Sequence, residues 1–282
     1  SDVLVEDNSI YVGKDPSSTT STAEYNVAVG TTALDAITTG DQNVAIGYNA
    51  LGANTTGESN VAIGSQALVA NTTGRQNTAV GNYNLYKNTT GYGNTSIGNM
   101  TLYSNTTGFY NTAYGQGALL DNTTGQYNTA TGRRALFENT TGQNNVALGY
   151  HSLYNNTTAH YNTAVGMKAL ESNTTAGGNT AMGYEALNSN TTGVGNTGLG
   201  FQAGDVITAG SNNVLLGYGA DPSAADGTNQ IVIGKGAVGA ANNTVQLGNT
   251  DITNVKTSGS ITAGAITIPN TDGSANQVLK TD

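Results

Sequence analysis

The 282-residue chain contains no cysteine, so neither disulfides nor thiolate metal sites hold it together. Charge is scarce as well: 10% of residues are charged, with Lys+Arg 9 against Asp+Glu 18 and a formal net charge of −9. A surface so poor in cations repels phosphate backbones, which argues against nucleic acid and anionic membranes as partners. No hydrophobic run approaches the roughly 18 residues that a membrane span requires, and residues 1–11 hold no secretory apolar core, so membrane insertion is not expected. Proline occurs only 3 times while glycine reaches 39, and the glycines keep a fixed register, unlike those of a disordered linker or of collagen. The chain begins without methionine and stops at Lys280-Thr281-Asp282, so a segment of a longer protein is expected.

What the chain does have is a period. Asparagine recurs every seventeen residues at Asn26, Asn43, Asn60, Asn77, Asn94, Asn111, Asn128, Asn145, Asn162, Asn179, Asn196 and Asn213, and a glycine follows four places after each. A unit of this length is too short for a helical hairpin and suits one turn of a β-solenoid. Numbered from its asparagine, the unit reads Asn, Val/Thr, Ala, Val/Ile, Gly, two free positions, Ala, Leu, two free, Asn, Thr, Thr, Gly, two free, as in residues 43–59. Positions two to four predict a short strand ended by a bend. Ala-Leu at eight and nine, from Leu34 and Leu51 to Leu187, predicts a second strand, and Asn-Thr-Thr-Gly a return turn whose glycine takes a positive φ.

Parallel stacking puts like positions about 4.8 Å apart, so twelve coils would span roughly 58 Å. In-register asparagines can then pass amide hydrogen bonds from coil to coil. Strand alternation sends positions two and four one way and three the other, so alanine at three suits a narrow interior while the bulkier residues need another cover. Sister chains would supply it, intertwined or side by side; the alternative is a monomeric solenoid with a filled interior. The expected fold is therefore all-β, a parallel β-solenoid or β-roll of seventeen-residue coils. Residues 1–25 would form an N-terminal capping coil, 26–217 the twelve repeats, 218–257 shorter irregular coils, and 258–282 a β-rich C-terminal stalk or linker. After Gly217 the period is expected to break, and the Ile231–Gly234 and Val245–Gly248 segments echo the strand with a fourteen-residue step.

Asn-Val-Ala-Ile-Gly followed by Ala-Leu, as in Asn43–Leu51 and Asn60–Leu68, resembles the head repeat of YadA-like trimeric autotransporter adhesins. That resemblance implies a left-handed parallel β-roll in a tight trimer. The longer unit with Asn-Thr-Thr-Gly, and the tail Val245–Thr250 with Gly273–Asp282, look more like tail fibres of phages. This second resemblance implies a virion tail fibre, extracellular, bound to other tail proteins and to a host surface glycan or outer-membrane protein. A bacterial surface adhesin head is the alternative of the same kind.

Several features bear on chemistry. Nine coils carry Asn-Thr-Thr, from Asn54 to Asn190, each formally a glycosylation acceptor but equally a turn. Their threonines form two rows, which raises an ice-binding alternative. Aromatics gather at free positions: Tyr86, Tyr103, Phe137 and Tyr154 at ten, Tyr92 and Phe109 at sixteen, Tyr110, Tyr127 and Tyr161 at seventeen. Such rows could receive sugar rings, or simply pack between coils. Tyr110, Tyr127 and Tyr161 are the better surface candidates, because glycine and asparagine share their position. Asp121 and Glu138 share position eleven on adjacent coils, about 5 Å apart, a spacing also found in retaining glycosidases. Arg133 and Arg134 are expected to neutralise them, so no catalytic residue is assigned and a polysaccharide-cleaving spike stays an alternative. His151 and His160 are expected on the solvated surface; no metal site or cofactor is expected.

Overall fold

The computed structural model describes residues 3–6, 8–13 and 22–252. Within them the protein is all-β, without a helix, and forms a β-solenoid that donates one short strand per coil to a single sixteen-stranded sheet. β1 (Val3–Glu6) pairs antiparallel with β2 (Ser9–Gly13), and every later neighbour pairs in parallel. β3 (Val27–Gly30) and β4 (Val44–Ile46) follow, then β5 to β13, from Val61–Ile63 to Thr197–Leu199. Registers such as Val27↔Val44 and Ala28↔Ala45 offset the strands by seventeen residues, so the sequence period is the pairing register. β1 is the outermost strand at this end of the sheet, and the antiparallel β1–β2 hairpin precedes the first parallel coil step.

The seventeen-residue step runs one strand beyond the asparagine period. β14 (Val214–Leu216) pairs with β15 (Ile231–Ile233) at that spacing, and only β16 (Val245–Leu247) comes fourteen residues later. Gln230 stands where the asparagine would be, and its backbone N–H still donates to Asn213 Oδ1 at 3.0 Å. Residues 258–282, the expected stalk, lie outside the described residues.

Strand alternation sorts the side chains as the pattern requires. Position three is sealed, with Ala45, Ala62, Ala79 and Ala113 fully buried, while position four faces out. Tyr11 takes the alanine position in the first coil and is itself buried, filling the space at the start of the stack.

The expected second strand is absent. Residues around Ala50 and Leu51 run through consecutive turns, and the leucines at position nine take the left-handed conformation, with φ near +51° at Leu34, Leu51, Leu102 and Leu187. Position seven is left-handed too, at Asn49, Gln66 and Met100. Two left-handed residues separated by one other curl the chain tightly, swinging both Ala50 and Leu51 into the core. Burial of the leucine, worth about 1.5–3 kcal/mol, outweighs the roughly 1–2 kcal/mol that an L-residue loses there.

The glycine of Asn-Thr-Thr-Gly also differs from expectation, for it has no positive φ. It is small because neighbouring coils touch: a Cβ on Gly125 would come within 2.5 Å of the Gly142 carbonyl oxygen and 2.3 Å of Asn122 Oδ1. The glycine at position five is the conformational one. Gly132 has φ +132°, and a Cβ there would sit 2.6 Å from Gly149 O.

Two asparagine columns thread the interior. In the first, each Oδ1 from Asn26 to Asn213 accepts from the backbone N–H of the next coil, those from Asn26 to Asn128 and at Asn196 also accept from its side-chain amide, and each amide donates to a carbonyl in its own coil. Thus Asn60 donates to Asn43 Oδ1 at 3.1 Å and to Gly74 O at 2.9 Å, and its N–H donates to Asn43 Oδ1 at 3.0 Å. In the second column, Asn71 Nδ2 donates to Asn54 Oδ1 and to Gly74 O, both at 2.9 Å, and the pattern runs on to Asn190. Both columns are buried, so their polarity is tolerable only because the hydrogen bonds are made. Ile37 and Ile207 replace asparagine at the two ends of the second column, and Asn190 Oδ1, which Ile207 follows, has no hydrogen-bond partner among the described residues.

Candidate functional site

The sequon asparagines belong to that second column. Asn54, Asn71, Asn88 and the rest are fully buried with their amides engaged, so they are turn and core residues in the folded protein. The threonine rows also divide. Thr55 Oγ1 donates to Thr72 O at 3.1 Å and recurs in that role through Thr174, whereas the Thr56 row is exposed. Only one rank of hydroxyls therefore faces solvent freely, not the paired ranks that a flat ice-matching plane would use.

Four of the five sequence-predicted aromatics converge. Tyr92 and Phe109 stack face to face, with centroids 4.8 Å apart and planes 4° apart. Tyr110 meets Tyr92 and Phe109 at 79° and 78°, and Tyr127 meets Phe109 at 80°. Tyr110 and Tyr127 lie 5.6 Å apart with planes 25° apart. The result is a corner of two short ring columns, one half-buried and one exposed. Tyr161 does not join it; it lies two coils further on, near His160 at 6.2 Å, and is 70% exposed.

The other rings form separate columns. Tyr86 stacks on Tyr103 at 4.9 Å and Phe137 on Tyr154 at 5.1 Å, with Leu120 occupying the same position in the coil between. Position six holds a column that sequence reasoning missed: Tyr184, Phe201 and Tyr218 stack at 5.0 and 4.9 Å. Its signal was legible, since position six is polar at Ser65, Asn82, Asn99 and Gln116 but apolar at Tyr150, Met167, Tyr184, Phe201 and Tyr218. Weighing each free position along the whole array would have exposed that switch.

The arginines do not neutralise the acidic pair. Arg133 donates to Gln116 Oε1 at 3.4 Å and its guanidinium lies over Tyr150, while Arg134 lies over Phe137. Burial pushes the Asp121 carboxyl up from its ordinary value, opposed by the charge of Lys87. His151 is likewise not a plain surface residue. Its ring sits 3.9 Å from Tyr150 and 4.5 Å from Tyr154, and its Nδ1 is 3.0 Å from Glu171 Oε1. Burial would raise the Glu171 pKa, but hydrogen bonds from His151 and Asn188 and the nearby Lys168 outweigh it and hold the carboxyl low. His160 is exposed, as expected, and accepts from Gln143 N at 2.9 Å.

Across the sheet, the outward strand row is apolar in every strand from β3 to β16 except at Thr131. Ile46, Ile63, Ile97, Leu148, Met182 and Leu199 are each between 37% and 46% exposed. Comparison with family models, with curated proteins and with solved structures gives no match.

Proposed function

We propose that the solenoid is a structural and adhesive fibre segment of a phage tail, a homotrimeric shaft that serves host attachment and makes or breaks no covalent bond. The outward apolar strand row carries this proposal. A parallel sheet normally has both faces covered, and here one face is packed by alanine and leucine while the other presents to solvent an apolar ridge interrupted only at Thr131 among the strands from β3 to β16. Contiguous apolar surface on this scale marks an interaction surface. Because the ridge repeats with the coil, the partner that matches it at every step is a second copy with the same repeat. The apolar switch at position six, two residues from that ridge, extends the same surface in the later coils. The sequence resemblance to trimeric adhesin heads and phage tail fibres points the same way. In this setting the fibre stands outside the cell, joined to other tail proteins, and meets a host glycan or outer-membrane protein.

Light-scattering mass tests the assembly. The expected value is about three times the 28.5 kDa chain, and a combined Ile46→Glu, Ile63→Glu, Ile97→Glu variant is expected to shift toward the single-chain mass while keeping its β-sheet circular dichroism. A single-chain mass for the unaltered protein would remove the shaft proposal.

A further inference from the structure

We infer that the aromatic corner built by Tyr92, Phe109, Tyr110 and Tyr127 is a binding site for a neutral oligosaccharide, seated on the faces of Tyr110 and Tyr127 and running along the coil stack. This deepens the attachment proposal and rests on it for the source of the glycan. Both faces of Tyr92 are taken, one by Phe109 and the other by the Arg75 guanidinium 5.4 Å from its centroid. Tyr110, turned 79° from Tyr92, meets it as a T-shaped pair and stacks with Tyr127, whose plane lies 25° from its own, so the two rings make one aromatic surface on the outside of the corner. Tyr110 and Tyr127 are each 49% exposed, as rings covered on one side would be.

The backbone is arranged to allow this. Tyr110 lies across Gly93, where a Cβ would come within 2.6 Å of the ring. Tyr110 and Tyr127 themselves take left-handed φ of 53° and 57°, which fixes their exit from the coil. Adjacent rings held one coil apart by side-chain packing lose little freedom on binding, unlike isolated surface tyrosines.

The chemistry of the rim selects the ligand. Sugar rings present C–H faces that pack on aromatic faces, ringed by hydroxyls that need donors and acceptors. Beyond Tyr127 the same two coil positions carry Gln143, whose Oε1 accepts from Gln126 Nε2 at 3.0 Å, and the exposed Asn144, whose amide offers both a donor and an acceptor. Arg75, the cation along this column, is committed to Tyr92, and with a net charge of −9 the surface offers no clamp for an anionic polymer. Stacking at successive coil steps suits consecutive sugar units of one strand.

The test measures binding of short linear oligosaccharides of glucose, galactose and mannose, with uronic-acid oligomers as the anionic set, to the intact chain. With no tryptophan present, emission comes from the 15 tyrosines, and the part of the ligand-induced change that is lost in Tyr110→Ala/Tyr127→Ala belongs to the corner. Neutral oligomers are expected to bind and change that emission, with affinity falling about tenfold or more in Tyr110→Ala/Tyr127→Ala. Gly93→Ala, which displaces the Tyr110 ring without removing it, should also weaken binding, and Tyr161→Ala should leave it unchanged. Absence of binding by the neutral set, preference for the anionic set, or binding indifferent to the double variant each overturns the inference. Light-scattering mass separates the two proposals: a single-chain protein that binds neutral glycan keeps this site and loses the shaft, and a trimer that binds none does the reverse.

Discussion

At the level of single residues, the same amino acid does different work at different places in the coil. The Asn111 side chain takes part in four hydrogen bonds: its amide donates to Asn94 Oδ1 and to Gly125 O, and its Oδ1 accepts from the N–H and the amide of Asn128. Asn111→Ala should therefore strand buried polar groups and cost about 2–4 kcal/mol, while Thr107→Ala on the exposed row stays within about 0.5 kcal/mol; urea unfolding midpoints compare them. The glycines separate similarly. Gly132→Ala meets both a forbidden φ and a backbone clash and should cost about 3 kcal/mol or more. Gly125→Ala should cost about 1 kcal/mol or less, because Ala159 and Ala176 already occupy that position, where Asn156 reaches Ala159 O at 3.3 Å instead of 2.9 Å as between Asn71 and Gly74. Sequence alone identified the first asparagine column, since a polar residue fixed at every coil needs a repeated partner. It misread the glycine of Asn-Thr-Thr-Gly because a steric demand from the neighbouring coil leaves the same trace as a dihedral one.

At the level of the coil, the strand was legible and the curl was not. Val-Ala-Ile alternates as a strand with one narrow face must, whereas Ala-Leu is apolar in either geometry. The trace of the left-handed curl lies in its exceptions: Gly204 at position nine, Gly117 and Gly219 at position seven, and Gly93, Gly178 and Gly195 at seventeen all have positive φ. Coils also adjust as groups. Asn84, Ser96 and Thr101 replace interior alanines together; Ser96 donates to Asn84 Oδ1, Asn84 donates to Gly98 O at 2.9 Å, and Thr101 donates to Gly115 O at 2.8 Å. The later coils carry an acidic group with a pH signature. Burial, then the charge of Asp205, raises the Asp221 pKa to about 6, against backbone hydrogen bonds from Gly204 and Val206. The folded state thus holds a proton that the unfolded chain releases near pH 4, so this group's contribution to stability falls as pH rises from about 4 to about 6 and is flat above. Thermal unfolding should show the unaltered protein losing stability over that window, and Asp221→Asn should flatten the slope.

For the stacked unit as a whole, stability is a sum over similar neighbours, so length is not tied to a single core. Deleting residues 60–76 joins Ser59 to Asn77 and should restore every column, leaving the unfolding midpoint within about 1 kcal/mol of the parent; deleting about half a coil should break register throughout. Circular dichroism and thermal melts distinguish the two. The outward ridge and the aromatic corner were legible only in part. Tyr92, Phe109, Tyr110 and Tyr127 were identifiable from their positions in the unit, but their right-angled meeting depends on Gly93 leaving room, and Tyr161 has the same position in its coil without those neighbours.

The hairpin over the first edge makes the two ends of the sheet unequal. Another molecule arriving at that end finds the hydrogen-bonding groups of β2 already taken on both sides, by β1 and by β3. What that terminus presents is β1, an antiparallel strand of four residues with one strand neighbour among the described residues, so a copy continuing the parallel coil stack in register meets no matching coil edge there.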